Sequence, residues 1–113
     1  MKILTEPVRR DVLISTAEIV FDDEMIKAVV DIARELLAID AELHADLEEL
    51  LLSDGSEQEN LWGINLYPEE IGEEMIEYDS LINIRPRQNN RSRGIEDPEI
   101  CRRVNEVVKQ WIV

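Results

Sequence analysis

The chain reads as an α+β domain, a small antiparallel sheet of about four strands with two helices packed on one face. Three observations lead there. Residues 61–67 set Trp62, Ile64 and Leu66 on one face, residues 76–84 set Ile76, Tyr78, Ile82 and Ile84 on one face, and the two segments end at Pro68 and Pro86, as strands commonly do. Behind Asp97, a good N-cap, and Pro98, suited to a first helical position, Ile100, Val104, Val107, Val108, Trp111 and Ile112 form one apolar stripe. A lone two-stranded ribbon is marginal in water, so other elements must complete the layer.

Taken in order, residues 2–5 form a short extended segment stopped by Pro7. Val12, Leu13, Thr16, Ala17 and Val20 then recur at helical spacing and predict a helix over residues 8–20. The acidic cluster Phe21-Asp22-Asp23-Glu24 reads as a solvated turn. Residues 25–52 admit two readings. Ile26, Val29, Val30, Ala33, Leu36 and Leu37 fit a helical stripe, as do Leu43, Leu47, Leu50 and Leu51. Against this, residues 28–32 are rich in β-branched side chains, and Glu42, His44, Asp46 and Glu48 alternate with Leu43, Ala45 and Leu47 as on a half-buried strand. The ribbon's need for partners favours strands within 25–39 and 42–52; the alternative is a mostly helical chain with a two-stranded ribbon. Asp54-Gly55 is a turn signal, residues 68–74 form a second acidic connection, and residues 85–94, with Arg85, Arg87, Arg91 and Arg93, form a loop.

Composition bounds the rest. A length of 113 residues suits one domain, and 44% hydrophobic content with four glycines and four prolines argues against a disordered or fibrous chain. The net charge of −14 argues against nucleic acid and anionic membrane surfaces as partners. That charge is uneven: residues 1–84 hold 5 basic against 22 acidic side chains, residues 85–113 hold 7 against 4. Pairing of the arginine loop with the acidic body is therefore expected. Cys101, the single cysteine, excludes an intramolecular disulfide framework and a cysteine-rich zinc site. With no apolar run of membrane-spanning length and no signal-like N-terminus, the expected location is cytoplasmic. The sequon Asn90-Arg91-Ser92 is then a coincidence.

The runs Glu42-Leu43-His44-Ala45-Asp46, Leu61-Trp62-Gly63-Ile64-Asn65 with Tyr67-Pro68, and Ser80-Leu81-Ile82-Asn83-Ile84-Arg85-Pro86 resemble a short prokaryotic domain family of unknown function. The resemblance spans residue 27 to the C-terminal helix. It implies a glycine-rich hairpin turn at the junction where this chain has Asp40-Ala41, and it brings no activity, ligand or catalytic residue.

On the strand reading, Glu42, His44, Asp46 and Glu48 share a polar face with Glu77, Asp79, Asn83 and Arg85, and Asn65 joins them from the strand between. Two sets of residues follow. His44, Asn65, Asn83, Arg85 and Arg91 are the expected contacts to a small polar ligand. Glu42, Asp46, Glu48 and Asp79 are the expected oxygen ligands of a divalent cation, Ca2+, Mg2+ or Mn2+ in preference to zinc. The favoured function is a small acidic binding or interaction module with its site around His44. One alternative is a hydrolase-like enzyme in which Asp46 orients His44 as a general base, although no nucleophile is identified. A structural homo-oligomer without a small-molecule ligand is the third reading, a homodimer through sheet edges or the uncovered face being its simplest form.

Overall fold

The computed structural model describes residues 1–21 and 25–113, so the acidic turn expected at 22–24 lies outside the described residues. At its centre, β2 (Ile26–Asp31) turns back into β3 (Leu36–Ile39). With β1 (Lys2–Ile3), β4 (Leu61–Leu66) and β5 (Ile76–Glu77) they form a five-stranded sheet in the order β1-β3-β2-β4-β5, antiparallel throughout. The fold class is the expected α+β, with one more strand than anticipated.

Residues 25–39, expected to be strand, hold two strands, β2 and β3. Their sequence mimics a helical stripe because the sheet is buried on both sides: Ala28 and Val30 face one layer, Val29 the other, and no polar alternation remains. The turn between them has neither glycine nor proline. Instead the buried Asp31 carboxylate accepts from the backbone N–H groups of Ala33 and Arg34, both at 2.9 Å, and from Ser56 Oγ at 2.6 Å. Glu35 takes the left-handed conformation that closes the turn (φ 56°).

The second half of the ambiguous stretch is corrected. Residues 42–52 are not a strand; they lead into and form most of helix α2 (His44–Ser53). Leu47 and Leu51, one turn apart, are fully buried against Val29, Ala38 and Leu61. Each contributes about 1.5–3 kcal/mol of burial. The alternation over 42–48 was fortuitous, since Leu43 and Ala45 lie exposed. The junction at Asp40 is accordingly not a hairpin but the passage from β3 to α2, with Asp40 at φ 69°, a conformation aspartate tolerates better than most residues.

Helices α1 (Arg10–Thr16) and α3 (Pro98–Trp111) supply Leu13, Val104, Val107 and Val108 to the opposite layer, with Trp62, Ile64, Leu37 and Ile39. These are the two helices expected on one face. The other face, which the sequence left open, carries α2. Asp97 caps α3 as predicted, accepting from the Glu99 N–H at 2.9 Å. The first helix is shorter than residues 8–20: Val8 is drawn into a parallel bridge with Ile112, and the backbone turns extended at Ala17. No helix among the described residues is long and apolar enough to cross a membrane.

Residues 76–84 also depart from expectation. Only Ile76–Glu77 pairs as a strand, leaving positions 61 and 63 on the outer edge of β4 without a neighbouring strand. Side chains complete it. The buried Asn83 carboxamide accepts from Gly63 N at 2.8 Å and donates to Gly63 O at 2.9 Å, while Arg85 donates to Leu61 O and Gln58 O and stacks 4.2 Å from the centre of the Trp62 ring. Ser80 packs so closely over Gly63 that a Cβ there would meet its Cβ and Oγ at 2.6 Å. Gly63→Ala is therefore expected to cost about 1–3 kcal/mol in chemical denaturation. Ser80→Gly combined with it should recover part of that loss, giving a non-zero coupling energy; additive effects would contradict the contact.

Candidate functional site

On the α2 side of the sheet, beyond the reach of Leu47 and Leu51, lies an open cleft of about 560 Å³. That volume is ordinary for a small-molecule site. Its floor is a row of register partners: Lys27 on β2 stands opposite Asn65 on β4, which stands opposite Glu77 on β5. Neighbouring strands are about 4.8 Å apart, so a cation, an amide and a carboxylate follow one another across three strands. One wall is the first turn of α2, with Leu43 and His44. The other is the segment after β5, with Asp79, Ser80 and Leu81, joined by Arg93.

Asn65 is 5% exposed. Its Nδ2 donates to Glu77 Oε1 at 2.8 Å and to the Asp79 carbonyl at 3.3 Å, which fixes the amide plane. Its Oδ1 is buried and has no hydrogen-bond partner among the described residues. His44 is 8% exposed and its Nε2 lies 2.7 Å from the Ile64 carbonyl oxygen. A carbonyl only accepts, so Nε2 carries the proton, and the neutral ring keeps Nδ1 as an acceptor. Burial pulls the His44 pKa below its ordinary 6.5; the Ile64 hydrogen bond opposes this, Lys27 adds to it, Asp79 opposes it and Arg93 adds to it. At neutral pH the imidazole is uncharged.

Charges around this floor balance. Arg93 Nε donates to Asp79 Oδ1 at 2.6 Å, and Lys27 lies 5.1 Å from the centre of the Phe21 ring. Among the described lining residues two cations face two carboxylates, in a chain whose net charge is −14. An acidic protein has kept this patch neutral.

Of the residues expected at the site, His44, Asn65 and Asp79 meet in the cleft. Asn83 and Arg85 are instead bound to the edge of β4 as described. Arg91 is exposed, and its backbone N–H, with that of Ser92, donates to Glu96 Oε2. Among the described residues, Arg93 is the one of the four loop arginines that forms a salt bridge to an acidic side chain. Glu42 precedes α2, and Asp46 and Glu48 lie along it. Residues two apart on a helix point in different directions, so Asp46 does not orient the ring of His44, which is held from Ile64. Among the described residues no three of His, Cys, Asp or Glu come together in a way that could hold a metal ion. Lys27 is the cleft residue that sequence reasoning missed, because its place opposite Asn65 is visible only once strand register is known.

A family model described as protein of unknown function (DUF5674) matches residues 2–111. Comparison with curated proteins and with solved structures finds no match.

The His44 environment makes a pH prediction. Because the folded pKa lies below the unfolded one, the unfolded chain binds the extra proton first, and this residue's contribution is complete above about pH 6.5 and lost as pH falls toward the folded value. The wild-type melting temperature should fall more steeply between pH 7.5 and about pH 5 than that of His44→Gln, both followed by circular dichroism. Parallel curves would show that the ring is not held neutral.

Proposed function

We propose that this chain, which belongs to the DUF5674 family of unknown function, is a small binding module whose cleft receives a small polar ligand that donates hydrogen bonds to Asn65 and His44. The observation that carries this reading is the orphaned Asn65 Oδ1. A buried acceptor left unpaired costs about 1–3 kcal/mol, and a ligand N–H or O–H that meets it recovers that cost. His44, which also lines the cleft, keeps Nδ1 as a second acceptor. Leu43 and Leu81, 56% and 67% exposed, give the mouth an apolar rim that dries the polar floor when a ligand enters. A divalent cation is the weaker candidate, because the carboxylates of Glu42, Asp46 and Glu48 stand apart from Asp79.

The test is a titration of the 15N-labelled protein with a fragment library of amides, amines and amino acids, read by NMR. Hits should move the amides of Lys27, His44, Asn65 and Asp79 together. Asn65→Leu should weaken them about tenfold, equivalent to ~1.4 kcal/mol. Leu43→Trp, on an exposed position, should obstruct the mouth while leaving the melting temperature nearly unchanged. Library members that bind only elsewhere, or none that bind, would contradict the reading. A dimer in light scattering whose interface covers the cleft would favour the structural homo-oligomer instead.

A further inference from the structure

Resting on that reading of the cleft, we propose that its ligand is a zwitterionic α-amino acid with an apolar side chain. The order of groups on the floor is the basis. Lys27, Asn65 and Glu77 are aligned partners across three strands, so positive and negative charge lie on opposite sides of the unpartnered Asn65 Oδ1. An anion alone would meet Lys27 but also Glu77 and Asp79; a simple amine would meet those carboxylates but also Lys27 and Arg93. A molecule carrying both charges satisfies both ends.

The donors and acceptors agree with this placement. Asn65 Nδ2 is already committed to Glu77 and Asp79, which leaves Oδ1 as the amide's acceptor for the ligand ammonium. Arg93 uses Nε toward Asp79, and its two terminal nitrogens make no hydrogen bond among the described residues. Arg93 stays on the Asp79 wall and balances its charge, so Lys27, on the opposite side of Asn65, is the cation that meets the ligand carboxylate. Leu43 and Leu81 at the mouth then receive the apolar side chain. The charge-balanced lining imposes no net repulsion on a ligand of zero net charge, where the acidic body would repel a free carboxylate.

The experiment uses three probes on the full chain, titrated separately and followed by NMR: L-leucine, isopentylamine, which lacks the carboxylate, and 4-methylpentanoate, which lacks the ammonium. Leucine should bind at the cleft at least about tenfold more tightly than either analogue. Lys27→Met should remove most of the advantage of leucine over isopentylamine, weakening leucine by at least about fivefold while isopentylamine, relieved of a repelling cation, binds as well or better. If isopentylamine binds as tightly as leucine, or leucine moves no cleft amide, the amino-acid assignment is overturned. In that event fragment hits of other chemistry at Asn65 would keep the binding reading of the previous section, so the two can fail independently. Should Lys27→Met unfold the chain, the comparison of the three probes on the wild type still decides.

Discussion

The exchange of two hydrogen bonds between the Asn83 carboxamide and the Gly63 backbone is the constraint on which the arrangement around the cleft depends. Leu61, Gly63 and Asn65 direct their backbone polar groups to the outer edge of β4, and buried groups of that kind must be paired. β5 reaches only the Asn65 and Leu66 end. A carboxamide has one donor side and one acceptor side, so it can stand in for a strand residue, and Asn83 does so at Gly63. Arg85 then closes the next position by donating to Leu61 O. Asn83 is held in turn: Asn90 Nδ2 donates to its carbonyl at 2.7 Å, and Asn90 Oδ1 accepts from Glu96 N at 2.8 Å. The loop over 85–96 is thus a framework of amides rather than a basic arm reaching outward.

That framework decides where the polar groups of the cleft stand. Pinning Asn83 to the strand edge lays Ser80 over Gly63, and the Ser80 N–H bonds Arg93 O at 3.0 Å, bringing Asp79 and Arg93 to the same wall. From the other side α2 covers Val29 and Ala38 but starts only at His44, so the Lys27–Asn65–Glu77 row lies beyond its apolar face. A gap between a helix start and a stapled loop is left over a charged floor. Nearby amides of Asn83 and Asn90 are fully engaged, whereas the buried Oδ1 of Asn65, like Glu48 Oε2, Trp62 Nε1 and Arg85 Nε, has no partner among the described residues; of these four residues Asn65 is the one that lines the cleft. Arg93 with Asp79, an exposed pair, contributes little to stability and is better placed to shape the charge that a ligand meets.

Much of the fold was legible in the residues. The C-terminal helix announced itself through Asp97, Pro98 and an apolar stripe, and β4 through Trp62, Ile64 and Leu66 on one face ahead of Pro68. Residues 26–31 and 36–39 were ambiguous because burial on both faces erases the period-two pattern, and because Asp31 builds its turn from a side chain instead of a glycine. Residues 42–48 misled for the opposite reason: a helix start happened to alternate, with two exposed apolar positions at Leu43 and Ala45. At the site, His44, Asn65 and Asp79 could be picked out as polar groups set among apolar ones. Asn83 and Arg85 looked equally suited to a ligand, since a sequence does not show which backbone edges lack a partner strand. Lys27 could not be found without the register that sets it opposite Asn65.

Hydrogen exchange of the Gly63 amide, followed by NMR on the native protein, addresses the edge closure most directly. If Asn83 stands in for a strand, the Gly63 N–H exchanges as slowly as the paired amides within β2 and β4. Exchange at the rate of an exposed edge amide would show that the carboxamide does not close the strand, and the placement of the cleft wall would fall with it.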